Sequence, residues 1–179
     1  MHPSERAIAT AVQQATNILA VTHIGPDGDA LGSLTAVGVV LQQLGKTFTL
    51  MCDDPVPERF RYLPLADHIQ PPNEHRPTSY DLLIAVDCGD ETRMGQSFAS
   101  LPESLLPTII NIDHHVTNTY FGDIQLVVPE AVSATEILYD LFKQMNVNIS
   151  TDLAMCLLTG LVTDTLGFRT VGVTAKTLR

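Results

Sequence analysis

Four short clusters of aspartate and histidine hold the residues most able to do chemistry. They are His23-Ile24-Gly25-Pro26-Asp27-Gly28-Asp29-Ala30-Leu31-Gly32-Ser33, Val86-Asp87-Cys88-Gly89-Asp90, Asp113-His114-His115 and Thr163-Asp164-Thr165. Carboxylates and imidazoles are donors for divalent metals, so clusters that meet in one cleft would form a metal centre able to support hydrolysis. The first three clusters each follow an apolar, β-branched run. Parallel strands present their ligands at their C-terminal ends, which is how distant clusters can converge.

Each cluster has a chemical reading and a plainer one. In the first, Pro26 fixes a turn and Gly28 and Gly32 permit close backbone approach, so His23, Asp27 and Asp29 can point into one space. The loop could also cradle phosphate through its amides, although it matches neither GxxxxGK[ST] nor GxGxxG. The plainer reading makes Asp29 the N-cap of the following helix. Asp87 closes an apolar strand as a ligand or a cap, and Asp90 can serve as the cap. His114 and His115 are adjacent on an extended segment and should point opposite ways, which predicts one ligand and one substrate-facing imidazole. Asp164 ends an apolar helix, where the dipole disfavours an anion and a bound cation would compensate. Cys88 reads as a small space-filling residue rather than a nucleophile.

The elements that must position these clusters alternate along the chain. Helices are expected over Ser4–Thr16, Gly32–Gly45, Ser133–Met145 and Ser150–Thr163, with shorter ones over Pro57–Leu63 and Glu91–Ala99. Ser133 and Glu136 form a capping-box pattern. Strands are expected over Ile18–Thr22, Thr47–Cys52, Tyr80–Asp87, Thr108–Asp113 and Ile124–Val128, and a loop over Pro71–Tyr80. This order predicts an α/β domain: a mostly parallel five- to six-stranded sheet with helices on both faces.

The bulk numbers agree. The chain has 179 residues, 45% of them hydrophobic, enough for one globular domain with a core. No apolar run is long enough to span a bilayer, and the N-terminus lacks signal-peptide order, so a cytoplasmic location is expected. Three cysteines without CxxC spacing argue against a disulfide framework or zinc knuckle. A net charge of −10 excludes general binding of long duplexes, which needs a basic stripe. A short phosphorylated ligand could still be held through metals.

Taken in order, HxGPDGDAxGS, VDCGD, DHH and TDT-x-x-FR resemble the four motifs of the DHH phosphoesterase family, over His23 to Arg169. The first two motifs are similar to the branch of nano-RNases and 3′-phosphoadenosine 5′-phosphate (pAp) phosphatases. RecJ-type exonucleases, cyclic-dinucleotide phosphodiesterases, exopolyphosphatases and type II inorganic pyrophosphatases share the plan. The resemblance implies two divalent metal ions, usually Mn²⁺ and in some members Mg²⁺. By position, His23 and Asp27 would hold one and Asp29, His114 and Asp164 the other, with Asp87 bridging. Asp113 would orient the histidine ligand, and His115 would face the scissile phosphate. Arg93 and Arg169 would bind substrate, or else form surface ion pairs. The implied reaction is attack of metal-activated water on short oligonucleotides or pAp, in a chain that could act as a homodimer. A pyrophosphatase or exopolyphosphatase on the same domain is the nearest rival, and a non-catalytic nucleotide- or metal-sensing module is a rival of another class. The resemblance also implies a catalytic domain over residues 1–169, with 170–179 beginning a linker to a C-terminal, DHHA1-like substrate-binding domain.

Overall fold

A computed structural model describes residues 3–72, 79–102 and 106–178. Helix α1 (Pro3–Gln14) leads to strand β1 (Asn17–Val21), helix α2 (Gly28–Gln43) and strand β2 (Thr47–Met51). Two 3₁₀ turns and the two-residue strand β3 (Ile69–Gln70) follow. Strand β4 (Leu82–Val86) leads through a 3₁₀ turn (Glu91–Met94) to helix α3 (Gln96–Ala99). Strands β5 (Thr108–Asp113) and β6 (Ile124–Val127) and helices α4 (Ala134–Gln144) and α5 (Thr151–Asp164) complete the order. Most of the expected Pro71–Tyr80 loop lies outside the described residues.

The six strands form one sheet in the order β3-β2-β1-β4-β5-β6. Every pairing is parallel, so the expected mostly parallel sheet is wholly parallel. The chain builds outward from β1 to β3, returns to the other side of β1, and builds outward again. The reversal falls between β1 and β4, and the crevice beyond the strand ends at such a switch point is where α/β sheets bind ligands. His23 and Asp87 follow those two strands.

Burial on both faces explains why the strands read as continuous apolar runs. Ile18 and Ala20 of β1 and Leu82, Ile84 and Val86 of β4 face a core shared with α1, α2, α4 and α5. Leu19, Val21, Leu83 and Ala85 face a smaller core with Met51, Met94 and Phe121. Helices cover the faces unequally, since only the short α3 region supports the second. Helix α2 is buried from Gly28 to Leu41. It crosses α5 at close range, because a Cβ on Gly32 would lie 2.7 Å from the Cys156 carbonyl oxygen. That crossing brings the N-terminus of α2 beside the C-terminus of α5. Among the described residues no helix is long and apolar enough to cross a membrane.

Most element limits differ from expectation by one or two residues, and the start of α2 differs by a full turn. Helix α2 begins at Gly28, not Gly32, because the Asp27 carboxylate accepts the amides of Asp29 and Ala30, each at 3.0 Å. The N-cap is therefore Asp27 and not Asp29. Strand β3 is too short to leave a periodic signal. In α4, Ser133 Oγ accepts the Glu136 amide at 3.1 Å, while Glu136 reaches back to the amide of Val132 rather than to that of Ser133.

Candidate metal centre

The strand ends are tied together before any site residue is considered. The hydroxyl of Thr22 donates to the Val86 carbonyl at 3.0 Å, joining the ends of β1 and β4. The Asp87 amide donates to the Ile112 carbonyl at 2.9 Å, joining β4 to β5. Asp87 itself has φ +57. This left-handed conformation is costly for residues other than glycine, and among those asparagine and aspartate tolerate it best. It turns the carboxylate away from the course of the strand.

Asp87 sits at the centre of the acidic cluster. It is 2% exposed, and its Oδ1 has no hydrogen-bond partner. A buried carboxylate oxygen without a donor is costly unless a cation meets it. His23 Nε2 lies 3.6 Å from Asp87 Oδ2, and His114 Nε2 lies 3.6 Å from Asp87 Oδ1. His114 Nε2 is also 3.8 Å from Asp29 and 3.5 Å from Asp164. These separations are too long for strong hydrogen bonds and suit donors that share an ion. His23, Asp27 and Asp87 form one such group of donors, and Asp29, His114 and Asp164 another. A third group joins Asp87 to Asp113, His114 and His115.

The imidazoles are set to present a free nitrogen. His23 Nδ1 lies 2.8 Å from the Ile24 carbonyl, and His114 Nδ1 lies 3.3 Å from the Ala131 carbonyl. Each carbonyl accepts an Nδ1–H and leaves the Nε2 lone pair facing the carboxylates, the tautomer a metal requires.

Asp29 is 1% exposed and has structural partners too. Its Oδ2 accepts the Ala134 amide at 2.6 Å, and its Oδ1 accepts the amide and hydroxyl of Thr135 at 3.1 and 2.9 Å. The carboxylate thus rests on the N-terminus of α4, where unpaired amides favour an anion. Burial, with the nearby Asp87 charge, still holds its pKa well above the usual carboxylate range. Burial likewise raises Asp164. Burial disfavours a charge on His23, but Asp87 and the Ile24 carbonyl outweigh it, and its pKa is raised. Among the described residues no lysine or arginine pairs with any of these aspartates. Asp29 and Asp87 are buried, Asp164 is partly exposed and Asp27 is exposed, and a divalent cation is the natural partner for this concentration of carboxylates.

The sequence model of the DHH family, N-terminal domain, matches positions 17–161, most of the chain and three of the four clusters. The chain belongs to the DHH family. Among its relatives, the bifunctional oligoribonuclease and PAP phosphatase NrnA of Thermus thermophilus is 34% identical over 163 residues, covering 90% of this chain and 47% of the relative. A probable manganese-dependent inorganic pyrophosphatase of Streptococcus thermophilus is 28% identical over 153 residues, covering 84% and 49%. The crystal structure of an exopolyphosphatase-related protein from Bacteroides fragilis superposes with a TM-score of 0.89 at 24% identity, over 97% of this chain and 53% of that one. Manganese-bound exonuclease RecJ shares the fold more distantly, with a TM-score of 0.51 at 14% identity, over 93% and 42%. The chain spans about half the length of the curated relatives it matches.

Within this DHH domain, several sequence expectations need correction. His114 and His115 do not point opposite ways. Strand β5 ends at Asp113, so strand alternation no longer applies, and the two ring centroids lie 4.7 Å apart. Asp113 does not orient His114. Its Oδ1 lies 2.7 Å from His115 Nδ1, while Asn118 donates to its Oδ2 at 2.6 Å. The hydrogen bond that His115 donates to Asp113 raises the His115 pKa to about 9. Burial would raise Asp113, but His115 and Asn118 outweigh it and hold that carboxylate below its usual range. Arg93 and Arg169 are exposed and make no ion pair among the described residues. Arg93 accepts the Ile24 amide through its carbonyl at 2.8 Å, and Arg169 Nε donates to the Leu166 carbonyl at 2.7 Å. Cys88 is fully buried with its thiol pKa pushed up by burial, as a space-filling residue should be.

Sequence reading missed Asn118, Asn111 and Thr135. Asn118 also donates to Asn111 Oδ1 at 2.9 Å, and both asparagines donate to the Cys88 carbonyl. These are tertiary contacts with no periodic signature. Gly160 did leave a signal, as an isolated glycine inside an apolar helix. A Cβ there would overlap Asp29 Oδ1 and lie 2.6 Å from Thr135 Oγ1.

Proposed function

We propose that this chain is a metal-dependent phosphoesterase domain acting on short nucleotides, nano-RNA oligonucleotides or pAp, through two divalent ions with Mn²⁺ preferred. The observation that carries the reading is Asp87, a buried carboxylate with an unpartnered oxygen, flanked by His23 with Asp27 on one side and by Asp29, His114 and Asp164 on the other. Asp87 would bridge and each flanking group would complete one site. Bound ions would supply Lewis acidity, lowering the pKa of an attacking water and neutralising phosphoryl oxygens.

The chain's own residues would do the rest. The Nδ1–H of His115 is held by Asp113, which, together with Asp87 and Asp164, raises the ring of the metal-free chain to a pKa of about 9. Its Nε2–H is the remaining donor, suited to a phosphoryl oxygen as charge develops. Asn118 and Asn111 fix Asp113 beneath it. Water attack forms one P–O bond and breaks another, and the departing alkoxide takes a proton. The same centre would serve pyrophosphate, a reading favoured by the pyrophosphatase-named relative.

The test is a panel of pAp, a dinucleotide, pyrophosphate and polyphosphate, each with Mn²⁺ and with Mg²⁺, following phosphate and mononucleotide release. Turnover of pAp or the dinucleotide supports the proposal. Pyrophosphate hydrolysis with inert nucleotides would move the chain to the alternative, and inertness toward all four with metal bound would favour a sensing module.

A further inference from the structure

Beside the cluster lies a second pair of acids that the proposed chemistry leaves unused. Beyond β2 the chain continues as Cys52-Asp53-Asp54. The Cys52 thiol donates to the His23 carbonyl at 3.5 Å, and Asp54 Oδ2 accepts the Gly25 amide at 2.6 Å. The backbone on both sides of Ile24 is therefore fastened to the extension of β2. The Ile24 amide in turn donates to the Arg93 carbonyl at 2.8 Å. Asp53 closes the ring. Its Oδ2 accepts the Gln96 amide at 2.6 Å, and its Oδ1 accepts the amide and hydroxyl of Ser97 at 2.7 and 2.6 Å. Gly95 sits at the junction with φ +59, where a Cβ would come within 2.7 Å of Ile24 Cγ2 and 2.8 Å of Asp53 Cγ. Three segments thus meet at this aspartate pair: the loop after β1, the end of β2 and the stretch after Asp87.

We infer that Asp53 and Asp54 are positioning residues for the site built from His23, Asp27 and Asp87. The inference rests on the metal-centre reading. His23 and Asp27 lie on a loop without helix or strand structure, yet two ligands of one ion must hold their spacing to a few tenths of an ångström. Asp27 is held by its cap on α2, and the fastening to β2 and to Arg93 supplies the constraint on His23. The other group is held differently, by α2, the N-terminus of α4 and the end of α5, and does not depend on the pair. Loss of Asp54 should therefore affect one metal site and spare the other.

Asparagine separates geometry from charge. Asp54 accepts one N–H, so Asp54→Asn removes the charge and keeps an acceptor. Asp53 accepts through both oxygens, so Asp53→Asn would set an amide N–H against a backbone N–H. The experiment is equilibrium Mn²⁺ binding to the 179-residue chain, by calorimetry and by paramagnetic resonance of free Mn²⁺. Wild type should bind two ions. Asp54→Ala should weaken one by roughly ten- to hundredfold, the scale of lost outer-shell support, and leave the other within about twofold. Asp54→Asn should match wild type, and Asp53→Asn should resemble Asp54→Ala. The positioning role is overturned if Asp54→Ala binds both ions as wild type does, if it weakens both equally, or if Asp54→Asn is as impaired as Asp54→Ala. A wild-type chain that takes up no Mn²⁺ overturns the metal centre itself, and the positioning role with it.

Discussion

Replacing Gly160 with alanine adds one methyl group at the point where three helices meet. The new Cβ would lie 2.6 Å from Thr135 Oγ1 and overlap Asp29 Oδ1. Neither neighbour can yield freely, because Asp29 is anchored by Ala134 and Thr135 through three hydrogen bonds. Overpacking of this kind costs about 1–3 kcal/mol. Alanine is the better helix former by up to about 1 kcal/mol, so the net loss should be about 1 kcal/mol. In a domain of this size that lowers Tm by roughly 2–4 °C. The larger effect should fall on the metal. Asp29 is displaced from His114 and Asp164, and Mn²⁺ affinity at that site should fall at least roughly ten- to hundredfold. Thermal unfolding with and without Mn²⁺, together with a binding isotherm, reads both effects. A variant with raised Tm and unchanged Mn²⁺ binding would refute the placement of Asp29 against α5.

Three further outcomes are expected. Asp87→Ala should reduce Mn²⁺-dependent hydrolysis by at least about a hundredfold, more than loss of an outer-shell partner would, without lowering the Tm of metal-free protein, and unchanged turnover would refute the bridging role. His115 has a folded pKa raised to about 9 from 6.5. Its contribution to stability is therefore complete below pH 6.5 and lost as pH rises through about 9. The side chain is nearly half exposed, so after solvent screening the effect is about 1 kcal/mol. His115→Gln should flatten that part of a Tm-versus-pH curve measured without metal. Asp29 and Asp164 have raised folded pKa values, so each favours the folded state most at or below the ordinary carboxylate pKa and less as pH rises through its folded value. In chelated protein the contribution of this pair should accordingly fall from acid toward neutral pH, opposite in sign to that of Asp113, and Mn²⁺ at about a hundred times its Kd should restore about 2.7 kcal/mol per site. A differential scan at several pH values checks both signs.

The strands were legible because buried parallel strands leave uninterrupted apolar runs, and the limits of β5 match expectation at both ends. The clusters were legible as ligand types placed after strands. Their convergence was not, because it depends on strand order. The return of β4 to the far side of β1 puts Asp87 between His23 and His114, and no local pattern encodes that return. Local rules failed where tertiary contacts replaced them. Alternation misjudged His114 and His115 because the chain leaves the strand at Asp113. Capping preference chose Asp29 over Asp27, since both are aspartates near the same helix start, and Asp29 instead serves the N-terminus of α4, distant in sequence. Asn118 has meaning only through Asp113, and Asp53 only through a loop it meets in space.

Anomalous diffraction at the manganese edge, from crystals of this chain grown with Mn²⁺, tests the two-ion centre most directly. Two peaks should flank Asp87, one bonded by His23 and Asp27 and the other by Asp29, His114 and Asp164. A single peak that leaves Asp87 unbound, or no peak in this cluster, would contradict it.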